Sequence, residues 1–191
     1  VITIGQMFLT GEFHADTIVA LTGAELREPK YVRTYQGAYL GDLLKGNMQG
    51  ANNRIISGDV LSGQQVSEDG FLGFNADQVT VIKEGDNYEL FGWLLPLAPR
   101  PSVSGTIPAY GGKDFEFNAD TNTHGEKRAF VVSGQYEELL PMDIYPQHLM
   151  KAILTGNIEK MEGLGITELT EEDVALCEFA CTSKNPFQSI L

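Results

Sequence analysis

Only two cysteines, Cys177 and Cys181, occur in the 191 residues. An iron-sulphur cubane or a structural zinc site generally takes four protein ligands, so two thiols alone build neither. The three histidines, His14, His124 and His148, stand at no ligand spacing. Two cysteines also make no disulfide framework, which leaves a reducing, cytoplasmic setting as the expectation. Positive charge is scarce as well: 13 Lys and Arg face 26 Asp and Glu, for a net charge of −13 and a pI near 4.5. A surface of that sign repels the phosphates of nucleic acid and offers anionic lipid no Lys-Arg cluster, so neither is expected as a partner. Ten acidic and three basic residues fall in 131–191, which places about half of the excess there. Long apolar runs are missing too. The most apolar, Leu90 to Ala98, is interrupted by Pro96 and followed by Pro99, far short of the ~20 residues of a spanning helix. The chain starts at Val1, and no basic stretch leads into an apolar one as in a secretory signal, so it reads as a fragment.

Hydrophobic residues make up 42% of the chain, enough for one large domain or two small ones that fold without disulfide or metal. Thr17 to Thr22 and Tyr31 to Tyr35 are rich in β-branched and aromatic residues and flank the Pro29 turn, as a strand pair would. Leu40, Leu43 and Leu44 recur at helical spacing before Gly46. Asn53 to Ser57 and Gln78 to Ile82 read as further strands, the latter turning through Glu84 to Asn87 into a strand at Tyr88 to Phe91. Strand-strand-helix-strand-strand is the order of a small β-grasp-like α+β module with an extra strand. Residues 96–128 are rich in Pro, Gly, Asn and Thr and read as loop with weak strands. Beyond Tyr145 the period becomes helical: Pro146 suits a first helical position, and Leu149, Met150, Ile153 and Leu154 form one stripe. Asn157 caps a second short helix ending at Gly163. Thr170 to Asp173 resembles a capping box that opens a helix bearing Val174, Cys177 and Cys181 on one face, with Pro186 as its stop. The expected division is a β-grasp domain at 1–95, a loop-rich connection at 96–135 and a helical domain at 136–191.

Few constellations favour chemistry. Cys177 and Cys181, at i and i+4, share a helical face and read as core packing. A Cys177–His148 nucleophile and base would have to meet across separate helices, with no local support. The pairs Glu137-Glu138 and Glu171-Glu172 read as solvated faces or partners of a helix N-terminus. The turn from Ser57 to Gly63 follows a strand, yet it lacks the Lys of a phosphate-binding loop and the glycine spacing of a dinucleotide fingerprint. It reads as a tight turn passing close to a protein or ligand partner. Trp93, the sole tryptophan, reads as core or subunit contact, and Phe91, Trp93 and Leu94 suit an apolar slot equally well as core. No residue is assigned to catalysis, cofactor, metal or quinone.

Six segments, in order, resemble the NqrA family, one of the subunits of Nqr, the bacterial sodium-translocating NADH:quinone oxidoreductase. They are Gly5-Gln-Met-Phe-Leu-Thr-Gly-Glu12, Val32-Arg-Thr34, Arg54 to Gly63, Phe91-Gly-Trp-Leu-Leu-Pro96, Leu140-Pro-Met-Asp-Ile144 and Glu171 to Cys177. The resemblance implies the C-terminal part of NqrA, with a half similar to the NADH-binding subunit of respiratory complex I preceding Val1. It also implies a soluble-ligand-binding β-grasp module over about 16–83. A wider resemblance, to the cluster-bearing RnfC component of Rnf-type complexes, implies a two-cluster ferredoxin scaffold without its clusters. Cys177 and Cys181 match the last two cysteines of the family's four-cysteine run, while Glu171 and Val174 stand where the first two would be and Thr182 replaces the proline. The second run would fall in Gly134 to Leu140, which holds no cysteine. The implied role is a non-catalytic structural and docking portion of a peripheral subunit on the cytoplasmic side of the membrane, touching the membrane subunits of Nqr, especially NqrB, and contributing to quinone access. Flavins, iron-sulphur centre, NADH and the sodium path would belong to other parts of the complex, with no cofactor in this chain. The alternative is a β-grasp binding module for a soluble small molecule.

Overall fold

The computed structural model describes residues 1–85, 87–92, 100–101, 117–131 and 133–191. Trp93, Leu94 and most of the Pro- and Gly-rich stretch lie outside them. The chain divides into two compact units, Val1–Asp86 with Asn118–Thr121, and Asn87–Phe117 with Asn122–Leu191.

The first unit is built on a five-stranded mixed sheet. Strands β1 (Asp16–Thr22), β2 (Lys30–Tyr35), β3 (Asn53–Ser57), β4 (Gln64–Val66) and β5 (Gln78–Lys83) lie in the order β2-β1-β5-β3-β4. β1 and β5 run parallel, with Leu21 opposite Val79, and the other pairs are antiparallel. Alternation sends Val19, Leu21, Val79, Val81 and Ile55 to one face. There Leu40 and Leu44, one turn apart on helix α2 (Leu40–Leu44), complete an aliphatic core with Leu26 and Leu72. Gly23 has a φ of 111°, and a Cβ there would collide with the Val81 carbonyl, so the chain leaving β1 passes β5 closely only because this residue is glycine. Helix α1 (Ile2–Thr10) precedes the sheet and buries none of its residues.

The second unit is helical: α3 (Pro146–Leu154), α4 (Ile158–Gly163), a 3₁₀ turn at Ile166–Glu168, α5 (Ala175–Ala180) and α6 (Phe187–Ile190). Pro146 opens α3, and Asn157 caps α4 by accepting from the Lys160 amide at 3.0 Å. The core gathers Tyr136, Leu140, Ile144, Leu149, Met150, Val174, Cys177, Cys181 and Phe187. The rings of Tyr136 and Phe187 stand 4.6 Å apart, with Phe130 edge-on to Phe187 at 5.3 Å.

Three local expectations change. No strand forms at 88–91: Phe91 has a φ of 56°, and Glu89 and the Gly92 carbonyl bind the buried Arg100 guanidinium instead of a ladder partner. The helix expected from Thr170 begins at Ala175 and ends at Ala180, and Pro186 stands at the start of α6 instead of stopping α5. In place of a full capping box, Asp173 accepts from both the amide and the hydroxyl of Thr170 at 2.8 Å, which closes a turn ahead of the helix.

Candidate functional site

α5 carries Cys177 into the core, and Cys181 follows directly at its C-terminal end. Val174, Cys177 and Cys181 are fully or almost fully buried while Leu176 and Phe179 face outward, so the three share one face as their spacing requires. The Cys177 thiol donates to the Tyr136 carbonyl at 3.8 Å, and the Tyr136 hydroxyl lies 3.2 Å from Cys181 Sγ, which also accepts from the Asn185 amide at 3.3 Å. Burial pushes the Cys177 thiol up to about 11, with the Glu137 carboxylate and Cys181 adding to the effect. Desolvation likewise raises the Tyr136 phenol, aided by its contact with Cys181. Both are protonated at neutral pH. Nucleophilic and metal-ligand chemistry needs thiolate, so this environment suits packing.

Among the described residues the surroundings supply no metal-ligating cluster: Val174 is buried and aliphatic, Glu171 is exposed, and no three His, Cys, Asp or Glu side chains group as a metal would need. His14 and His148 are exposed, the latter beside a groove between α3 and α4 with Lys151 and Lys160. His148 is therefore not brought to the buried Cys177. His124 Nδ1 lies 3.6 Å from Glu89 Oε1. Glu138, Glu171 and Glu172 are exposed, whereas Glu137 is half-buried. Phe91 is exposed.

The turn after β3 is closed by its own carboxylate. Asp59 Oδ1 accepts from the Leu61 and Ser62 amides at 2.7 and 2.9 Å, and Oδ2 accepts from the Ser62 hydroxyl at 2.7 Å. These bonds hold the Asp59 carboxyl below the usual carboxylate range, the Ser62 hydroxyl most of all. The Leu61 and Ser62 amides and the Ser62 hydroxyl, donors that a phosphate could use, are thus already taken. A Cβ on Gly63 would lie 2.5 Å from the Asp59 carbonyl oxygen, so the close approach read from this turn is to its own backbone. An Asp two residues before the accepted amide was the signal available in sequence.

A cleft of about 460 Å³ opens along β3 and β4, lined by Met48, Asn53, Ile55, Gln65 and Glu68 among others. The Asn53 amide nitrogen donates to the Gln49 carbonyl at 2.5 Å, while its carbonyl oxygen is buried with no hydrogen-bond partner among the described residues. Sequence reading missed this cleft because β4 has almost no strand pattern of its own.

A mixed-sheet unit and a helical unit whose thiols are sealed in a core define an α+β protein without an evident reaction centre among the described residues. The family described as the NQRA C-terminal domain matches residues 18–68. The NqrA subunit of the Na(+)-translocating NADH-quinone reductase of Haemophilus influenzae (strain 86-028NP) is 41% identical over 193 residues, covering 100% of this chain and 43% of the relative. The Yersinia pestis bv. Antiqua (strain Angola) protein of that name is 43% identical over 192 residues, again 100% and 43%. That of Klebsiella pneumoniae (strain 342) is 42% identical over 184 residues, 96% of this chain and 41% of the relative. The chain belongs to the NqrA family of the Na(+)-translocating NADH-quinone reductase, and spans less than half the length of the relatives it matches.

Proposed function

We propose that this chain is a non-catalytic structural and docking portion of a peripheral subunit in a sodium-translocating NADH-quinone reductase, contributing to quinone access. The observation that carries the reading is the 41% identity to an NqrA protein over the whole chain, both units included. The sealed thiols support a packing role for α5, and no helix among the described residues is long and apolar enough to cross a membrane. In this reading the sheet unit is a soluble-ligand-binding β-grasp, and the helical unit is a two-cluster ferredoxin scaffold that has lost its clusters. The protein lies on the cytoplasmic side and meets the membrane subunits, NqrB foremost, while flavins, iron-sulphur centre and sodium path belong elsewhere. The test is to tag the protein and isolate what comes with it from membranes. A sodium-dependent NADH-quinone reductase should copurify, and its quinone reduction should fall when the tagged protein is removed. Copurification with an unrelated assembly, or full quinone reduction without this protein, would sink the reading.

One observation favours a second reading, a binding module for a soluble small molecule: the β3–β4 cleft with its unpartnered Asn53 carbonyl oxygen. A soluble metabolite that raises the melting temperature of the chain, and does so less after Asn53→Leu, supports it. Stabilisation by short-chain quinone alone supports the pump.

A further inference from the structure

Helix α1 is nine residues long and carries no charge, yet it buries nothing. Thr3, Gln6 and Thr10, at i, i+3 and i+7, make one narrow polar stripe, and the Thr10 hydroxyl donates to the Gln6 carbonyl at 2.8 Å. Ile2, Ile4, Met7, Phe8 and Leu9 occupy the rest of the circumference, with Phe8 84% and Leu9 87% exposed. An isolated helix shorter than ~12 residues is marginal in water, and helices of this length draw their stability from a packed apolar face. Here the apolar face covers more than half of the helix, so one flat neighbour would not cover it.

The chemistry of the helix narrows the occupant. A helix lying in a lipid interface carries Lys or Arg on its polar face; α1 has none, and the chain around it has a net charge of −13. A second copy of the chain would have to be recruited from solution. The relatives supply a neighbour already tethered: the alignment includes α1, this chain covers only 43% of their length, and the matching family is named for the C-terminal domain. A covalently continuous partner acts at a high effective concentration.

We propose that α1 docks its Ile2, Ile4, Met7, Phe8 and Leu9 surface into an apolar groove of the remaining portion of the same polypeptide, forming the seam between that portion and the sheet unit. The inference rests on family membership and not on the pump role proposed above. Hydrogen exchange on the protein at its relatives' full length tests it. Amides of residues 5–10 should exchange at least ~100-fold more slowly than in an unstructured peptide. Phe8→Asp should abolish that protection, Gln6→Lys on the polar stripe should leave it, and unchanged protection of β1 and β5 would show that the variants still fold. Protection absent from the full-length protein overturns the proposal. So does protection that rises with protein concentration, which would mean a second copy, or that appears only in an assembled complex, which would mean another protein of that complex.

Discussion

Among the described residues, the buried hydrophobic cluster of the sheet unit consists of Val, Leu and Ile, with the buried Asn47, Ser57 and Thr80 bonded to backbone outside that cluster, whereas the cluster of the helical unit itself includes two thiols and a phenol. Gln147 on α3 is also buried, with its amide nitrogen unpartnered among the described residues. An aliphatic core is specified by volume and alternation, and it tolerates swaps that conserve volume. A core containing polar atoms is specified atom by atom, since each needs its partner.

Truncation in the two cores should break the contrast most visibly. Phe187→Ala removes a fully buried ring from the Tyr136–Phe130 cluster and should cost about 3–5 kcal/mol. Leu40→Ala should cost about 2–5 kcal/mol in the sheet core, whereas Leu40→Met should cost less than about 1.5 kcal/mol. Urea unfolding followed by circular dichroism reads all three. A loss below ~1 kcal/mol for Phe187→Ala would mean that the aromatic cluster is loosely packed and that the two cores do not differ as described.

Alkaline pH reaches the helical core through Cys177. The folded Cys177 value, about 11, lies above the 9.0 of an unperturbed thiol, so folding favours the protonated form. The contribution is fully present below pH 9 and is lost as pH rises toward 11. Two pH units correspond to roughly 2–3 kcal/mol. Comparing the chain with Cys177→Ala from pH 8 to 11 isolates this share from Lys and Tyr titration: the stability gap should shrink with pH. Rapid alkylation of Cys177 at pH 8 in the folded chain would contradict the sealed environment.

How much of this was legible in sequence follows the same division. β1, β2, β3 and β5 lie within a residue or two of where β-branched and aromatic residues place them, because tertiary burial and local preference agree there. β4 was invisible: Gln64-Gln65-Val66 has no alternation, and it is held by pairing Val66 with Ile55. The shared face of Cys177 and Cys181 followed from their i, i+4 spacing, but their sealing by Tyr136 comes from 41 and 45 residues away and could not. The strand expected at Tyr88 to Phe91, after the turn through Glu84 to Asn87, does not form: Phe91 has a left-handed φ, and Glu89 and Gly92 on either side of it bind Arg100, a partner that lies beyond the local pattern.

On the sheet unit a charged pair lies at the rim. Arg54 Nε and Nη2 donate to Glu84 at 2.8 and 2.6 Å, and the Thr121 hydroxyl donates to the same carboxylate at 2.7 Å, which ties residues 118–121 to the end of β5. These bonds, the Arg54 pair first, hold the Glu84 carboxyl below its usual range. That stability is present above about pH 4.5 and is lost as pH falls through the lower folded value. Both side chains are a quarter to a third exposed, so screening reduces the effect. Arg54→Met keeps the aliphatic stem and should cost under about 1 kcal/mol at low salt, shrinking toward zero at 1 M. A loss above ~2 kcal/mol that ignores salt would place this pair with the polar atoms of the helical core, and the contrast between a patterned interior and an atom-by-atom one would no longer separate the two units.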